Sequence, residues 1–173
     1  AYERNFVGMV AGFDTYKFDY ANRITAAGGS ATIATNGSQA DYVPQATSTS
    51  VGGQINVDNR YQSVVVSATA GIVAGDAFTI DGVYAVHHIT KEDTGQLKTF
   101  RVISVTNGTT MVISPPIIGA TGATPTDAEL QYKNVEVVTE SATAAINFLN
   151  TGASAINVFW QKDSLEILPG RYA

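Results

Sequence analysis

The sequence predicts an all-β fold, a small antiparallel sandwich or barrel, and three observations lead there. Only 14% of the residues are charged, and threonine, serine, valine and glycine fill the difference, which favours strands and turns because β-branched residues pack well on a pleated surface. From residue 55 onward, β-branched runs recur roughly every ten residues, as in sandwiches and small barrels. Turn dipeptides such as Asp81-Gly82 and Asn107-Gly108 separate these runs and are typical of hairpins.

The first 54 residues form two different segments. Residues 1–25 are rich in large apolar side chains without a clear period, and Gly8 and Gly12 interrupt any helix. We expect this segment to pack against further protein, because so much apolar surface is unfavourable in water. Residues 26–54 begin with a glycine-rich cluster and a weak alternating run that ends at Asn36-Gly37, and then become small, polar and loop-like.

The stretch from 55 to 115 carries the strongest strand signals, and Pro115-Pro116 ends it. Polar loops and turns separate its apolar runs. The predicted strands are 55–58, 63–67, 78–80, 83–86, 100–105 and 111–114. The residues expected to face the interior are Val65, Phe78, Ile80, Val102 and Ile113.

The pattern weakens beyond the two prolines. The segment 117–134 opens with a loop rich in small residues that shows no drive toward secondary structure, and 135–138 predicts one more strand. The run 142–149 fits either a strand or a short helix, whereas 155–160 is strand-like.

Composition and charge exclude several classes of function. The net charge is −5, and the ten lysines and arginines form no cluster, so we expect no direct nucleic-acid site, since phosphate binding needs a basic patch. No apolar run approaches the ~20 residues that cross a bilayer, and no signal sequence opens the chain, so no membrane association is expected. Cysteine is absent, which rules out disulfides and thiolate metal sites and fits a cytosolic origin. Because Ala1 stands where an initiator methionine would, we interpret the sequence as part of a longer chain.

Three motifs could suggest chemistry, and each has a simpler structural interpretation. His87-His88 would point to opposite faces of a strand and cannot chelate one metal. Asp58-Asn59-Arg60 lacks a catalytic partner and predicts a turn held by an Asp58 or Asn59 side chain bonded to backbone N–H groups. The glycine-rich loop at 119–122 lacks the lysine of a phosphate-binding loop. We therefore expect no catalytic centre, no cofactor and no metal site.

Four short stretches form a recognisable pattern when taken together. They are Val10-Ala-Gly-Phe-Asp14, Asn56-Val-Asp-Asn-Arg60-Tyr61, Val66-Ser-Ala-Thr69-Ala70-Gly71 with Gly75-Asp76, and Asn157-Val-Phe-Trp160 with Asp163. In order and spacing they resemble the major coat protein of short-tailed double-stranded-DNA phages of enteric bacteria. The resemblance covers most of the chain, is most specific between 55 and 115, and matches only the central-to-late part of such a coat protein.

The resemblance implies the tailed-phage capsid fold with an inserted, about six-stranded antiparallel β-barrel that has long loops. Residues 1–25 would then be a segment of the capsid core, 26–150 the inserted barrel and 151–173 the return segment. It also implies a structural role, in which the insertion helps the coat subunit to fold and contacts neighbouring capsomers. Its expected partners are other coat-protein copies in an icosahedral shell, and scaffolding and portal proteins. The expected location is the virion capsid, assembled in the host cytoplasm.

In that family one long loop reaches a neighbouring capsomer across a two-fold axis and stabilises the immature shell. The matching loop here spans about 41–56, and its tip, residues 47–54, carries no charge. The contact would use hydrogen bonds or flanking charged groups; the candidate residues are Asp41, Ser48, Gly52, Gln54, Asp58 and Arg60. We expect the loop to be mobile alone and ordered only against a neighbour, because its small polar residues bury little that would offset the cost of ordering.

A carbohydrate-binding or adhesin-like β module is the alternative interpretation. The acidic composition rich in threonine, serine and glycine fits such a module, and Trp160 or the tyrosines could stack on sugars. Assembly separates the two, because a coat protein forms symmetric shells and an adhesin binds a glycan column instead. An enzyme, such as a hydrolase, is the weakest of the three hypotheses.

Overall fold

The computed structural model describes residues 6–17, 23–33, 42–138 and 143–155, and within these ranges the chain is mostly β-structure. Ala26–Gly152 form one compact unit, and the remaining described residues belong to a second. The strands in chain order are β1 (Phe6–Val10), β2 (Phe13–Tyr16), β3 (Arg23–Ile24), β4 (Ala31–Ile33), β5 (Thr47–Ser50), β6 (Gly53–Asn56), β7 (Gln62–Val65), β8 (Ala77–Val86), β9 (Asp93–Asn107), β10 (Thr110–Ser114), β11 (Val135–Val137), β12 (Ala144–Phe148) and β13 (Ser154–Ala155). The described helix is α1 (Asp127–Tyr132).

A curled antiparallel sheet makes up most of the first unit. Its strand order is β4-β12-β8-β9-β10-β7, with β11 added beside β8. The two ends of this order meet, because Ile33 and Val66 form a bridge and the Ser67 amide donates to the carbonyl of Thr32 at 2.9 Å. The all-β, about six-stranded antiparallel barrel predicted from the sequence is confirmed in this curled sheet.

The core lies inside the curl, where alternate residues of each strand point. Phe78 is fully buried, and its ring centre lies 5.7 Å from that of Phe100 and 6.0 Å from that of Phe148. The other fully buried large side chains are Ile33, Val64, Ile80, Val83, Val102, Met111, Ile113 and Val135. Four of the five residues predicted to face inward, Phe78, Ile80, Val102 and Ile113, are therefore in the core.

The fifth prediction, Val65, is wrong. Val65 is 55% exposed, while Val64 and Val66 on either side are buried. Successive strand residues face opposite sides, and three consecutive valines carry no information about which of them face inward. The side chain of Gln62 is buried and accepts a bond from the Ile117 amide at 2.7 Å. Its inward position determines that Val64, two residues further on, also faces inward.

The predicted hairpin at Asp81-Gly82 is also wrong, because β8 runs straight through it. Gly82 has φ of 77°, and the pairing of β8 with β9 shifts register between Thr79 and Tyr84. The part of β8 before Gly82 also pairs with β12, and the part after Gly82 pairs with β11 instead. The glycine therefore serves an irregular position inside a long strand, which is the other common use of glycine in a sheet.

The remaining turn and strand predictions that fall on described residues agree with the structure, and one helix was not predicted. The hairpin at Asn107-Gly108 is confirmed, since β9 and β10 pair across it, and so is a strand at 135–138. The undecided run 142–149 contains strand β12. The helix α1 was not predicted; it is held by a reciprocal capping box between Thr126 and Glu129, which also lowers the pKa of the Glu129 carboxyl through hydrogen bonds from Thr126.

The chain enters and leaves the first unit at adjacent points. The Ala27 amide donates to the Asn150 carbonyl at 2.9 Å, and the Gly28 amide donates to the Gly71 carbonyl at 3.2 Å. Gly71 has φ of 78°, and a Cβ there would lie 2.7 Å from the backbone of Gly28. The buried Asp76 carboxylate accepts a bond from the Asn150 side chain at 3.0 Å. These contacts hold the segment before β4 and the segment after β12 beside the loop between β7 and β8.

The second unit contains two small antiparallel pairs, β1 with β2 and β3 with β13. Gly12, at φ of 85°, lies in the turn between β1 and β2. The ring centres of Phe6 and Tyr16 are 5.4 Å apart. The apolar side chains of this hairpin are exposed, namely Phe6, Val7, Met9, Val10, Phe13 and Tyr16. Most of the predicted strand 155–160 lies outside the described residues, as does Asn36-Gly37.

Candidate interaction site

The segment predicted to be a long mobile loop is a regular two-stranded hairpin. β5 and β6 pair in register from Thr47 with Asn56 to Ser50 with Gly53, and Val51 and Gly52 form a two-residue turn between them. We call residues 47–56 the exposed hairpin, because all of its side chains are exposed except that of Ser48, which is partly buried. The expectation of an unstructured segment was wrong because the alternating threonines and the two-residue turn are strand signals that small polar composition obscures.

Asn59 fixes the base of the exposed hairpin to the rest of the unit. Its Oδ1 accepts from the Tyr42 hydroxyl and from the Gln45 amide, both at 3.0 Å, and its Nδ2 donates to the Gln45 carbonyl at 2.8 Å. The Val57 amide extends the hairpin ladder by donating to the Ala46 carbonyl at 3.1 Å. One asparagine thus uses both its acceptor and its donor to hold the two legs of the hairpin together.

Asp58 and Arg60 form an ion pair beside this base. The guanidinium donates to both carboxylate oxygens, with Nε to Oδ1 at 2.8 Å and Nη2 to Oδ2 at 2.6 Å. The Arg60 amide also donates to Asp58 Oδ1 at 3.1 Å, so the predicted side-chain-fixed turn at 58–60 is confirmed. The hydrogen bonds from Arg60 lower the pKa of Asp58 to about 2, and the pKa of Arg60 is raised by the same partner.

The charged groups nearest to the hairpin therefore bind each other. The side chains of Arg60 and Asp58 remain 74% and 46% exposed, and the Arg60 guanidinium lies 5.1 Å from the centre of the Tyr61 ring. Tyr42 lies close enough to Asp58 for the carboxylate to add to the effect of burial, the larger cause, in raising the pKa of its phenol. An exposed ion pair of this kind contributes little binding energy of its own.

The structure brings five of the six candidate residues to this region. Ser48, Gly52 and Gln54 lie on the hairpin itself, and Asp58 and Arg60 lie at its base. Asp41, the sixth, lies outside the described residues. The contributions of Asn59 and Tyr42 were missed as site residues, although the asparagine beside a turn is a known signal for side-chain bonds to the backbone.

The prediction that the two histidines lie in a strand is wrong. They follow β8 in a turn, both are exposed, and their ring centres are 5.0 Å apart. His87 Nδ1 faces the amides of Ile89 and Thr90 at 3.4 and 3.3 Å. Across the described ranges, no three side chains of His, Asp or Glu gather in a way that could hold a metal ion. Nor do these ranges contain a helix with the length and apolar character to span a membrane.

The described residues 26–152 thus form a compact β unit that presents an anchored hairpin and has adjacent entry and exit points. Comparison with known families shows which class of protein the chain belongs to. The family model for the P22 coat protein, described as gene protein 5, matches residues 1–172. The chain therefore belongs to the P22 coat protein family, which makes it a structural component of a virus capsid that assembles with other coat-protein copies.

The solved structures that are similar to this chain include the following one. It is the CUS-3 coat protein I-domain, 38% identical, and the match covers 70% of this chain and 96% of that one with a TM-score of 0.49.

Proposed function

We propose that residues 26–150 are an insertion in the capsid core whose exposed hairpin contacts a neighbouring capsomer and stabilises the shell. The observation that supports this role most strongly is the anchoring of the hairpin. Asn59 ties both legs, although neither β5 nor β6 pairs with any other strand in the described part of the chain. An ordered element without a local partner is already in a conformation ready for binding, so contact with a neighbour costs little ordering entropy.

The adjacent ends of the unit support its role as an insertion. Ala27 and Asn150 are hydrogen-bonded, so a host domain could carry the unit without separating its own flanking segments. Residues 1–25 and 151–173 would then be the segments of the capsid core. The exposed apolar side chains of the hairpin β1–β2 are the surface that we expect this core to cover.

Removal of the exposed hairpin tests the contact with the neighbour. Because Ala46 and Val57 are already bonded, residues 47–56 can be replaced by a Gly-Gly turn without opening the base. The coat subunit should fold, whereas its shells should fail to form or should dissociate at lower denaturant, as measured by sedimentation and electron microscopy. The matched control is Val51→Ala at the fully exposed tip, which leaves the strands intact. Shells of unchanged stability from the hairpin-deleted chain would contradict the proposal.

The unit should also support folding of the coat subunit, because the described core cluster is built from residues of the unit alone. Phe100→Ala, which opens a cavity in this core, should lower the soluble yield of the coat subunit. Ile103→Ala on the outer face of the same strand, where the side chain is 39% exposed, is the control. Equal yields of the two variants would show that this unit does not support folding of the coat subunit.

Catalysis has no part in this proposal. His87 and His88 lie in a surface turn, and replacing both by glutamine should leave shell assembly unchanged. Loss of a measurable turnover without loss of folding would overturn the non-catalytic assignment. Assembly in the host cytoplasm, with scaffolding and portal proteins as further partners, belongs to the same proposal and rests on family membership.

A further inference from the structure

Within the described ranges, each strand of the exposed hairpin has an outer edge that pairs with no other strand. In an antiparallel pair, opposed residues alternate between those that exchange hydrogen bonds and those that do not. The bond from Val57 to Ala46 sets this alternation along the register of β5 and β6. The pairs of Thr47 with Asn56 and of Thr49 with Gln54 therefore do not bond to each other. Their amide and carbonyl groups point outward, along β5 on one edge and along β6 on the other.

These edges lack the features with which proteins usually block edge-to-edge pairing. Charged side chains, prolines and bulges commonly protect an exposed edge, yet no residue from 47 to 56 is charged or is proline. The barrel in the same unit closes its own edges through the bridge between Ile33 and Val66. The exposed hairpin thus offers an open edge that carries no charge to repel an identical chain.

We propose that β5 of one copy pairs antiparallel with β5 of a second copy about a two-fold axis, so that two exposed hairpins form one four-stranded sheet. This inference rests on the proposed contact between capsomers and specifies its chemistry. The symmetric register places Thr47 opposite Thr49 of the second copy, and Ser48 opposite Ser48. Each of the two Thr47–Thr49 pairs exchanges two hydrogen bonds, giving about four, and a two-fold contact uses the same surface on both copies.

Two observations select β5 rather than β6. β6 begins at Gly53, whose φ of 115° departs from extended strand geometry, whereas β5 carries two β-branched threonines that favour a regular strand. Pairing through β6 would also place the exposed Asp58–Arg60 ion pair opposite the turn of the second copy. Burying that pair would require desolvation of both charges.

A contact made of so few hydrogen bonds is weak by itself, which suits a closed shell. Each copy is already held near its neighbour by the rest of the capsid, so the pairing is in effect intramolecular and adds to many other contacts. Because no charge takes part, the contact should depend little on salt, unlike a bridge between exposed ions.

A single cysteine tests this register, because the chain contains no native cysteine. In the proposed pairing the two Ser48 residues face each other as a non-bonded pair, with Cα atoms about 4.5 Å apart, and a disulfide accepts about 4.4–6.8 Å. Shells should be assembled from the coat chain carrying Ser48→Cys under reducing conditions and then oxidised. We expect covalent dimers on non-reducing gels from shells and not from unassembled subunits. The matched variant Ile55→Cys, which would occupy the same position in a β6 pairing, should remain monomeric.

A second pair of variants gives an independent result if the cysteine disturbs assembly. Thr49→Pro removes an outward amide from β5 and keeps every bond within the hairpin, while Asn56→Pro does the same on β6. Thr49→Pro should destabilise shells, and Asn56→Pro should not. Intact shells that give dimers through Ile55→Cys, dimers through neither cysteine, or equal dimers before assembly would overturn the β5 pairing and leave the capsomer contact standing. A hairpin-deleted chain that forms normal shells would instead refute the contact itself.

Discussion

Phe78→Ala should be among the most damaging single truncations in this chain. Phe78 is fully buried and contacts the rings of Phe100 and Phe148, at a point where β8 lies between β9 and β12. Truncation of a buried phenylalanine costs about 3–5 kcal/mol, of which part reflects the cavity left behind. Loss of the two ring contacts places the expected value in the upper half of that range. For a unit of this size, such a loss lowers the melting temperature by roughly 10–20 °C.

Thermal and urea unfolding of the chain, followed by circular dichroism, measures this loss. The matched controls are Val64→Ala, which removes a fully buried valine, and Val65→Ala, which removes its 55% exposed neighbour. Val64→Ala should be clearly destabilising, and Val65→Ala should change the free energy of unfolding by less than about 0.5 kcal/mol. An unchanged melting temperature for Phe78→Ala, or equal effects of the two valine variants, would refute the position of the core.

Three further predictions follow from local geometry. Asn59→Ala should loosen the exposed hairpin and leave the barrel intact. The rate of amide exchange across 47–56 should rise by about tenfold for each ~1.4 kcal/mol of lost hydrogen bonding. An unchanged exchange rate would show that the anchor is elsewhere. Gly71→Ala should cost about 2 kcal/mol or more, since a Cβ would lie 2.7 Å from the neighbouring backbone at a positive φ, whereas Gly108→Ala meets open space and should be mild in the same unfolding assay. The Asp58 carboxyl should titrate by NMR with a pKa of about 2, and in Arg60→Ala at close to 3.8. Because the folded pKa is the lower one, the stability that the pair contributes is present above about pH 4 and is lost as the pH falls toward 2.

The sequence predicts the fold class because composition, β-branched runs and turn residues agree with one another. It does not predict the details that depend on neighbours in space. The sequence alone does not distinguish between Val64, Val65 and Val66. Only packing decides that Val65 faces outward. Gly82 follows an aspartate as in a hairpin turn, yet it lies inside β8 because two strands pair with different ends of that strand.

The candidate site shows the same limit. The coat-protein resemblance locates the segment 41–56, and a polar composition then predicts a disordered loop. The base of the hairpin is anchored by the bond between Asn59 and Gln45, a residue fourteen positions away, and the sequence does not show which residue Asn59 binds. The helix α1 is a different case, since its Thr-x-x-Glu capping box is visible in the sequence and is a signal for the start of a helix.

Electron cryomicroscopy of shells assembled from the coat chain is the most direct test of a structural role in which the exposed hairpin contacts a neighbouring copy. We predict that density for residues 47–56 continues from the barrel as an ordered hairpin and meets the same hairpin of a neighbouring capsomer at a two-fold axis. Density in which the hairpin points into solvent without a neighbour, in shells that are otherwise intact, would contradict that role.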